Sequence, residues 1–187
     1  MGRTDRRDLI DLMIHDHGTA VALFGRLDLL DWHPERRRAL IDVIVAELTR
    51  HAATATRYLY PTVRRCLPDG ADIAARAVAG YRRTEWIMSD LMGIDVEHPE
   101  FAALVRRLTT EVCELFREEA AVLGRLRLEC APQTLADLGR KVRAAKRSGP
   151  TRPHPAIRLN RVVRRPIGWL DQIADALTDR PTTLEEL

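Results

Sequence analysis

Apolar residues recur along this chain at intervals of three and four, the spacing of one helix face, and no sustained alternation of the kind a strand needs interrupts them. The pattern predicts a first helix from about Arg6 to Leu30, ended before Asp31-Trp32-His33-Pro34. A second runs from Glu35 to about Cys66 and closes at the turn Pro68-Asp69-Gly70, with Pro61 as a kink or stop near its end. A third spans Ala71 to Met92 and is stopped by Gly93 and His98-Pro99. A fourth continues from Glu100 to about Leu128, before Ala131-Pro132. A shorter helix over Leu135–Lys146, a proline-rich linker over Ser148–Pro155 and an amphipathic piece over Ile167–Leu177 follow. Four long helices joined by short turns give an all-α fold, an antiparallel up-down four-helix bundle with a C-terminal extension. The bundle is expected over 1–139 and the extension over 140–187.

The inward stripes follow from the same spacing. Helix one offers Ile10, Met13, His17, Val21 and Phe24, and helix two Leu40, Ile44, Leu48, His51, Ala55 and Tyr58. Helix three offers Ala74, Val78, Tyr81, Met88 and Leu91, and helix four Phe101, Val105, Leu108, Val112, Leu115, Glu119, Val122 and Leu126. His17, His51 and Glu119 thus interrupt three apolar stripes, and each needs a partner, because burying an unpaired polar group is costly. In antiparallel neighbours rising 1.5 Å per residue, His17 and His51 lie within about 3 Å of the same height. Two histidines and a carboxylate are a donor set suited to non-haem iron. Tyr81 faces the same interior, either as a fourth, phenolate ligand or as a core tyrosine hydrogen-bonded to Glu119 or a histidine. Tyr58, two turns after His51, is expected to close the pocket. His15 and Glu118 point outward, Glu85 pairs with Arg82 or with water, and Cys113 packs as a small apolar residue.

Composition narrows the partners. The chain has 187 residues, 45% hydrophobic and 30% charged, enough to bury a core without disulfides or a structural metal. No apolar run is long enough to span a membrane. The start, Met-Gly-Arg-Thr-Asp-Arg-Arg-Asp, leads into a segment with Asp11, His15 and Asp16, unlike a signal peptide, so a cytoplasmic location is expected. Cys66, Cys113 and Cys130 show no C-x-x-C spacing, against a disulfide framework or a thiolate zinc site. The net charge of +3 hides a run, 140–165, with ten Lys and Arg and no acid. That run reads as a basic strap over Arg140–Arg165 lying on a mildly acidic bundle, with Ile157, Leu159, Val162 and Val163 as anchors, and not as a nucleic-acid arm. No Gly-rich phosphate loop and no serine-nucleophile motif is present.

Several segments together carry a resemblance. IHDH in helix one, LTRHAATATRYLYP in helix two, HPEF opening helix four, LFREEA within it and PTRPHP in the tail resemble the hemerythrin-like HHE cation-binding proteins, in particular actinobacterial members, over roughly residues 7–155. The resemblance implies a four-helix bundle built for two irons, in proteins that bind dioxygen, sense oxygen or iron, or handle peroxide and nitric oxide. It assigns His17, His51 and Glu119 to ligand positions. The helix-two glutamate position holds Ala55, the helix-three histidine position Tyr81, and the helix-four histidine position Leu115. Three of six ligands remain, nearly the half-site of one iron. Two functions fit the sequence. One is a protein with an incomplete di-iron site that binds one non-haem iron through His17, His51, Glu119 and Tyr81 and handles dioxygen, peroxide or a small substrate. The other is a metal-free bundle acting as a small-molecule-binding or protein-interaction module.

Overall fold

The computed structural model describes residues 7–30, 33–155 and 164–187. It is all-helical, with no strand among the described residues. Helix α1 spans Leu9–Leu27, α2 Pro34–Thr54, α3 Tyr60–Cys66, α4 Gly70–Gly93, α5 Phe101–Glu129, α6 Pro132–Lys146 and α7 Arg164–Leu177. Short 3₁₀ turns cover Asp28–Leu30 and Leu184–Glu186. None of the described helices is long and apolar enough to cross a membrane.

Local chemistry sets the boundaries. At the start of α1, the Asp8 and Asp11 side chains each accept the other's backbone N–H, at 2.9 and 3.1 Å, an acidic form of the capping box. Pro34 and Pro132 occupy the first turns of α2 and α6, where a missing N–H costs nothing. Pro61 does not end the second helix. A π-helical turn, Ala55–Leu59, joins α2 to α3 without a break, and the Tyr60 N–H bonds the Ala55 carbonyl five residues back. Pro61 lacks the N–H that would reach Arg57, and its ring crowds that carbonyl in a regular helix; the wider turn just before it relieves both demands.

The long elements pack on one another: α1 along α2, α5 and α6, and α4 along α5 and α3. Two apolar clusters fill the interior. One gathers Leu9, Met13, Leu59, Val63, Ala74, Leu126 and Leu135. The other gathers Leu23, Leu40, Ile44, Ile87, Leu91, Phe101 and Leu108. A polar layer containing His17, His51 and Glu119 lies where the clusters meet.

Three expectations change. Val21 is 52% exposed, and Asp16 takes an inward position instead. Cys113 faces solvent. The basic run does not begin as an extended strap: Arg140–Lys146 lie in α6, the short helix expected over Leu135–Lys146, which runs from Pro132 to Lys146. A Cβ on Gly139 would lie 2.6 Å from the Arg7 carbonyl oxygen, so α6 closes directly onto the start of α1. Ile157, Leu159, Val162 and Val163 lie outside the described residues.

Helix α7 is amphipathic as expected, but it turns its polar side inward. Asp171 and Asp175 are buried; Asp171 accepts the Thr151 and Arg152 amides at 3.1 and 3.2 Å and pairs with His154 at 2.9 Å. Asp175 binds the Thr151 hydroxyl and the guanidinium groups of Arg152 and Arg180. Arg180 also reaches the Asp42 side chain at 3.1 Å and its carbonyl at 3.0 Å, fastening the C-terminal segment to α2. Trp169, Leu170, Ile173 and Leu177 are left on the outer face.

Candidate metal centre

The polar layer draws on helices far apart in sequence. α1 supplies Asp16 and His17, α2 His51, α3 Tyr60, α4 Tyr81, α5 Glu119 and α6 Lys146. Glu119 is the hub, with a carboxylate wholly shielded from solvent. Its Oε2 accepts from His17 Nε2 at 3.0 Å, His51 Nε2 at 3.1 Å and the Tyr81 hydroxyl at 3.1 Å. Its Oε1 accepts from the Tyr60 and Tyr81 hydroxyls, each at 3.3 Å. The Tyr81 oxygen is also 3.0 Å from His51 Nε2. On the far side of the His51 ring, Nδ1 meets Asp16 Oδ2 at 3.0 Å, and Asp16 in turn holds the Lys146 ammonium. Phe116 stacks on His17 at 4.0 Å between ring centres and meets His51 edge-on at 5.1 Å.

These contacts set the charges. Burial alone pushes His51 toward the neutral form, but the Glu119 charge, with hydrogen bonds to Asp16 and Glu119, outweighs it and holds the imidazolium up to about 9. Burial likewise opposes the Glu119 carboxylate, yet the His51 charge and the His17 and His51 hydrogen bonds bring it down to about 2. Asp16 stays below its usual range despite burial, because His51 and Lys146 favour the anion. Burial and the Glu119 charge push both tyrosine hydroxyls up, so Tyr60 and Tyr81 remain phenols and donate.

The donor atoms of His17, His51 and Glu119 lie within 4.8 Å of one another, close enough to share one ion. The second contact of His51 fits that use: a carboxylate on Nδ1 leaves Nε2 as the nitrogen aimed into the layer and fixes the ring, as outer partners of ligating histidines do. Among the described residues, a second ion finds no equivalent set. Ala55 is wholly buried without a donor, and Leu115 presents only a hydrocarbon side chain. His17 is the donor nearest solvent, with 11% of its side chain exposed. A cavity of about 300 Å³ between α4 and α5, walled by Ile73, Ala77, Leu115 and Val122, borders Tyr60 and Glu119.

All four residues expected at the site thus meet, and Tyr81 does so as a hydrogen-bond partner of Glu119 and His51. His15 and Glu118 are exposed, as expected, and Glu85 stands outside the cluster. Tyr58 does not close the pocket; it is half-buried, with the Arg57 guanidinium 5.3 Å from its ring centre. Tyr60 takes that place, because the π turn absorbs one residue and rotates it by about 100°. Asp16 was also legible: Leu9, Leu12, Asp16, Ala20, Leu23 and Leu27 form a regular buried stripe. Lys146, 130 residues from its partner, carries no local signal. No family model matches this chain, and neither do any curated protein or any solved structure.

Proposed function

We propose that this chain is a hemerythrin-like protein that has kept one half of a two-metal site and binds a single non-haem iron through His17, His51 and Glu119, with Tyr81 beside them. The observation that carries the reading is the convergence of three donors in a layer closed by apolar packing, with Asp16 orienting His51 from behind. The packing of consecutive long helices joined by short connections supports an antiparallel up-down bundle with α6 added to its side. Bound iron would supply a redox-active, Lewis-acidic centre suited to dioxygen or peroxide. The chain's own residues do the rest: Phe116 and the apolar clusters exclude water, Asp16 and Lys146 hold His51 in place, and the Tyr60 and Tyr81 hydroxyls can donate toward a small ligand. Binding must displace the proton on His51 Nε2, so affinity rises with pH.

A metal-free module is the second reading. It is favoured by the closure of the network itself, since Glu119 and His51 satisfy each other and their neighbours with no ion. Anaerobic titration of chelator-stripped protein with ferrous ion, followed by calorimetry and metal analysis, separates the two. The iron reading expects one ion per chain and its loss in His51→Ala. No uptake establishes the metal-free module, and two ions with a bridged di-iron absorption band overturn the half-site.

A further inference from the structure

We propose that the outer face of α7 is a self-association surface, on which two copies of this chain pair with their α7 helices antiparallel and a two-fold axis at Ile173. The helix lies on the bundle by its polar side, so Trp169, Leu170, Ile173 and Leu177 stand out on one stripe, Trp169 62% and Leu177 80% exposed. No carboxylate of the helix interrupts that stripe, because Asp171 and Asp175 are buried and bonded on the opposite side. Four large apolar side chains in one ridge exceed the scattered exposure of an ordinary surface and mark an interaction site. The ridge is symmetric about Ile173. Trp169 and Leu177 lie four residues to either side of it, so an antiparallel copy sets Ile173 against Ile173 and Trp169 against Leu177 at both ends. That is the condition for an isologous interface, in which one patch must complement itself.

Charge selects a second copy as the occupant. The end of α6 runs beside the N-terminal half of α7: the Arg147 carbonyl accepts from Gln172 Nε2 at 3.3 Å, and a Cβ on Gly168 would lie 2.5 Å from the Ser148 carbonyl oxygen. The Arg147 side chain is exposed and has no acid partner among the described residues. Beyond the other end of α7, Asp179 takes the left-handed conformation, φ 47°, which aspartate tolerates, and the Arg180 N–H bonds the Asp175 carbonyl across it at 3.0 Å. The Asp179 carboxylate is exposed at the negative end of the helix, where an anion is unfavourable, and has no cation partner among the described residues. Turned antiparallel about Ile173, position 179 of one copy comes level with position 167 of the other, next to Gly168 and the end of α6. Each copy therefore brings an unpaired cation to one end of the ridge and an unpaired anion to the other. An anionic lipid surface would suit Arg147 but repel Asp179 and the exposed Glu185. A single pair of helices about 21 Å long makes a small interface, so the dimer is reversible and not obligate. The pairing needs no metal and stands apart from the iron reading.

The test is sedimentation velocity of the full chain in chelator across micromolar concentrations, which should show a monomer giving way to a dimer. Ile173→Asp and Leu177→Asp should stay monomeric throughout with unchanged circular dichroism. Arg147→Glu and Asp179→Lys should each weaken the dimer, and the two together should restore it. On a Cys113→Ser background, Ile173→Cys sets two thiols across the axis, so mild oxidation should join the copies. Leu128→Cys, on an 85% exposed position of α5, should not be joined. A monomer at every concentration, a dimer that survives Ile173→Asp, or joining through Leu128→Cys as readily as through Ile173→Cys would overturn the proposal. So would a monomer that binds phosphatidylserine vesicles through Trp169 and Leu177, which would give the face to lipid.

Discussion

Replacing Glu119 by Gln removes one charge from the buried layer at almost no change in volume, so its cost should follow pH. In the metal-free protein, burial works against the His51 cation, and Glu119 is the strongest of the influences that overcome it and carry His51 from 6.5 to about 9. At about 1.4 kcal/mol per tenfold change in proton affinity, that rise corresponds to roughly 3 kcal/mol. Because the folded value is the higher one, the stabilisation is complete below pH 6.5 and is lost as pH climbs through about 9. Glu119 is drawn from 4.5 down to about 2 through the same contact, so the two shifts describe one interaction and are not summed. On the acid side, this stabilisation is present above pH 4.5 and fades as pH falls toward about 2. Asp16 supplies part of the His51 shift, which leaves roughly 2 kcal/mol for Glu119→Gln to remove near neutral pH. Urea denaturation in chelator, followed by circular dichroism, should show that deficit at about pH 6 and near-convergence with the parent at about pH 10. A deficit of the same size at every pH would refute the charged pair and leave only lost hydrogen bonds.

Four further outcomes follow from the geometry. Asp16→Asn should weaken ferrous-ion affinity about 10- to 100-fold in a titration without loss of helix, since the outer partner of His51 is impaired and no donor removed; unchanged affinity would reduce Asp16 to a counter-charge. Tyr60→Phe should cost about 1 kcal/mol in urea denaturation through the lost Glu119 contact, and Tyr58→Phe under about 0.5 kcal/mol; the reverse order would contradict the π turn. Arg180→Ala removes the guanidinium that Asp42 and Asp175 share, leaving them Arg38 and Arg152, and should destabilise the C-terminal segment by roughly 2 kcal/mol, read as faster proteolysis within 164–187 while α1 to α5 stay protected. Gly70→Ala should lower the melting temperature, by a cost of about 1–3 kcal/mol, because the added methyl meets the backbone of α3; an unchanged melting temperature would mean that the turn is not tight.

The helices and the heart of the site were readable because both depend on periodicity. His17, His51 and Glu119 stand out as polar residues on apolar stripes, and the antiparallel count put the two histidines at one height. What the pattern concealed was of two kinds. Tyr60 was hidden by a local change of pitch, since its position relative to His51 depends on how Pro61 is accommodated. Lys146 and Arg180 were hidden by distance, because a long cation shows nothing locally of the carboxylate that it meets more than a hundred residues away. Helix α7 shows a third limit. Its two faces were plain in the sequence, but which one turns inward depended on Thr151, Arg152, His154 and Arg180, which offer Asp171 and Asp175 more partners than water-exposed positions need.

The π turn also changes how this chain can be edited and compared. Up to Thr54 the helix counts in steps of 3.6 from His51, and after Leu59 it counts in the same steps from a different origin. A residue-for-residue comparison with an uninterrupted helix is therefore sound before the turn and assigns every side chain from Tyr60 to Cys66 to the wrong face. Shortening the stretch by one residue is correspondingly less disruptive to the register of α3 than the same deletion in a regular helix would be. Removing a single residue between Ala55 and Leu59 would take out the residue that the wider turn absorbs, so Tyr60 would keep its place beside Glu119 while Pro61 lost the turn that accommodates it, at a cost in helix stability and with no side chain of the polar layer replaced.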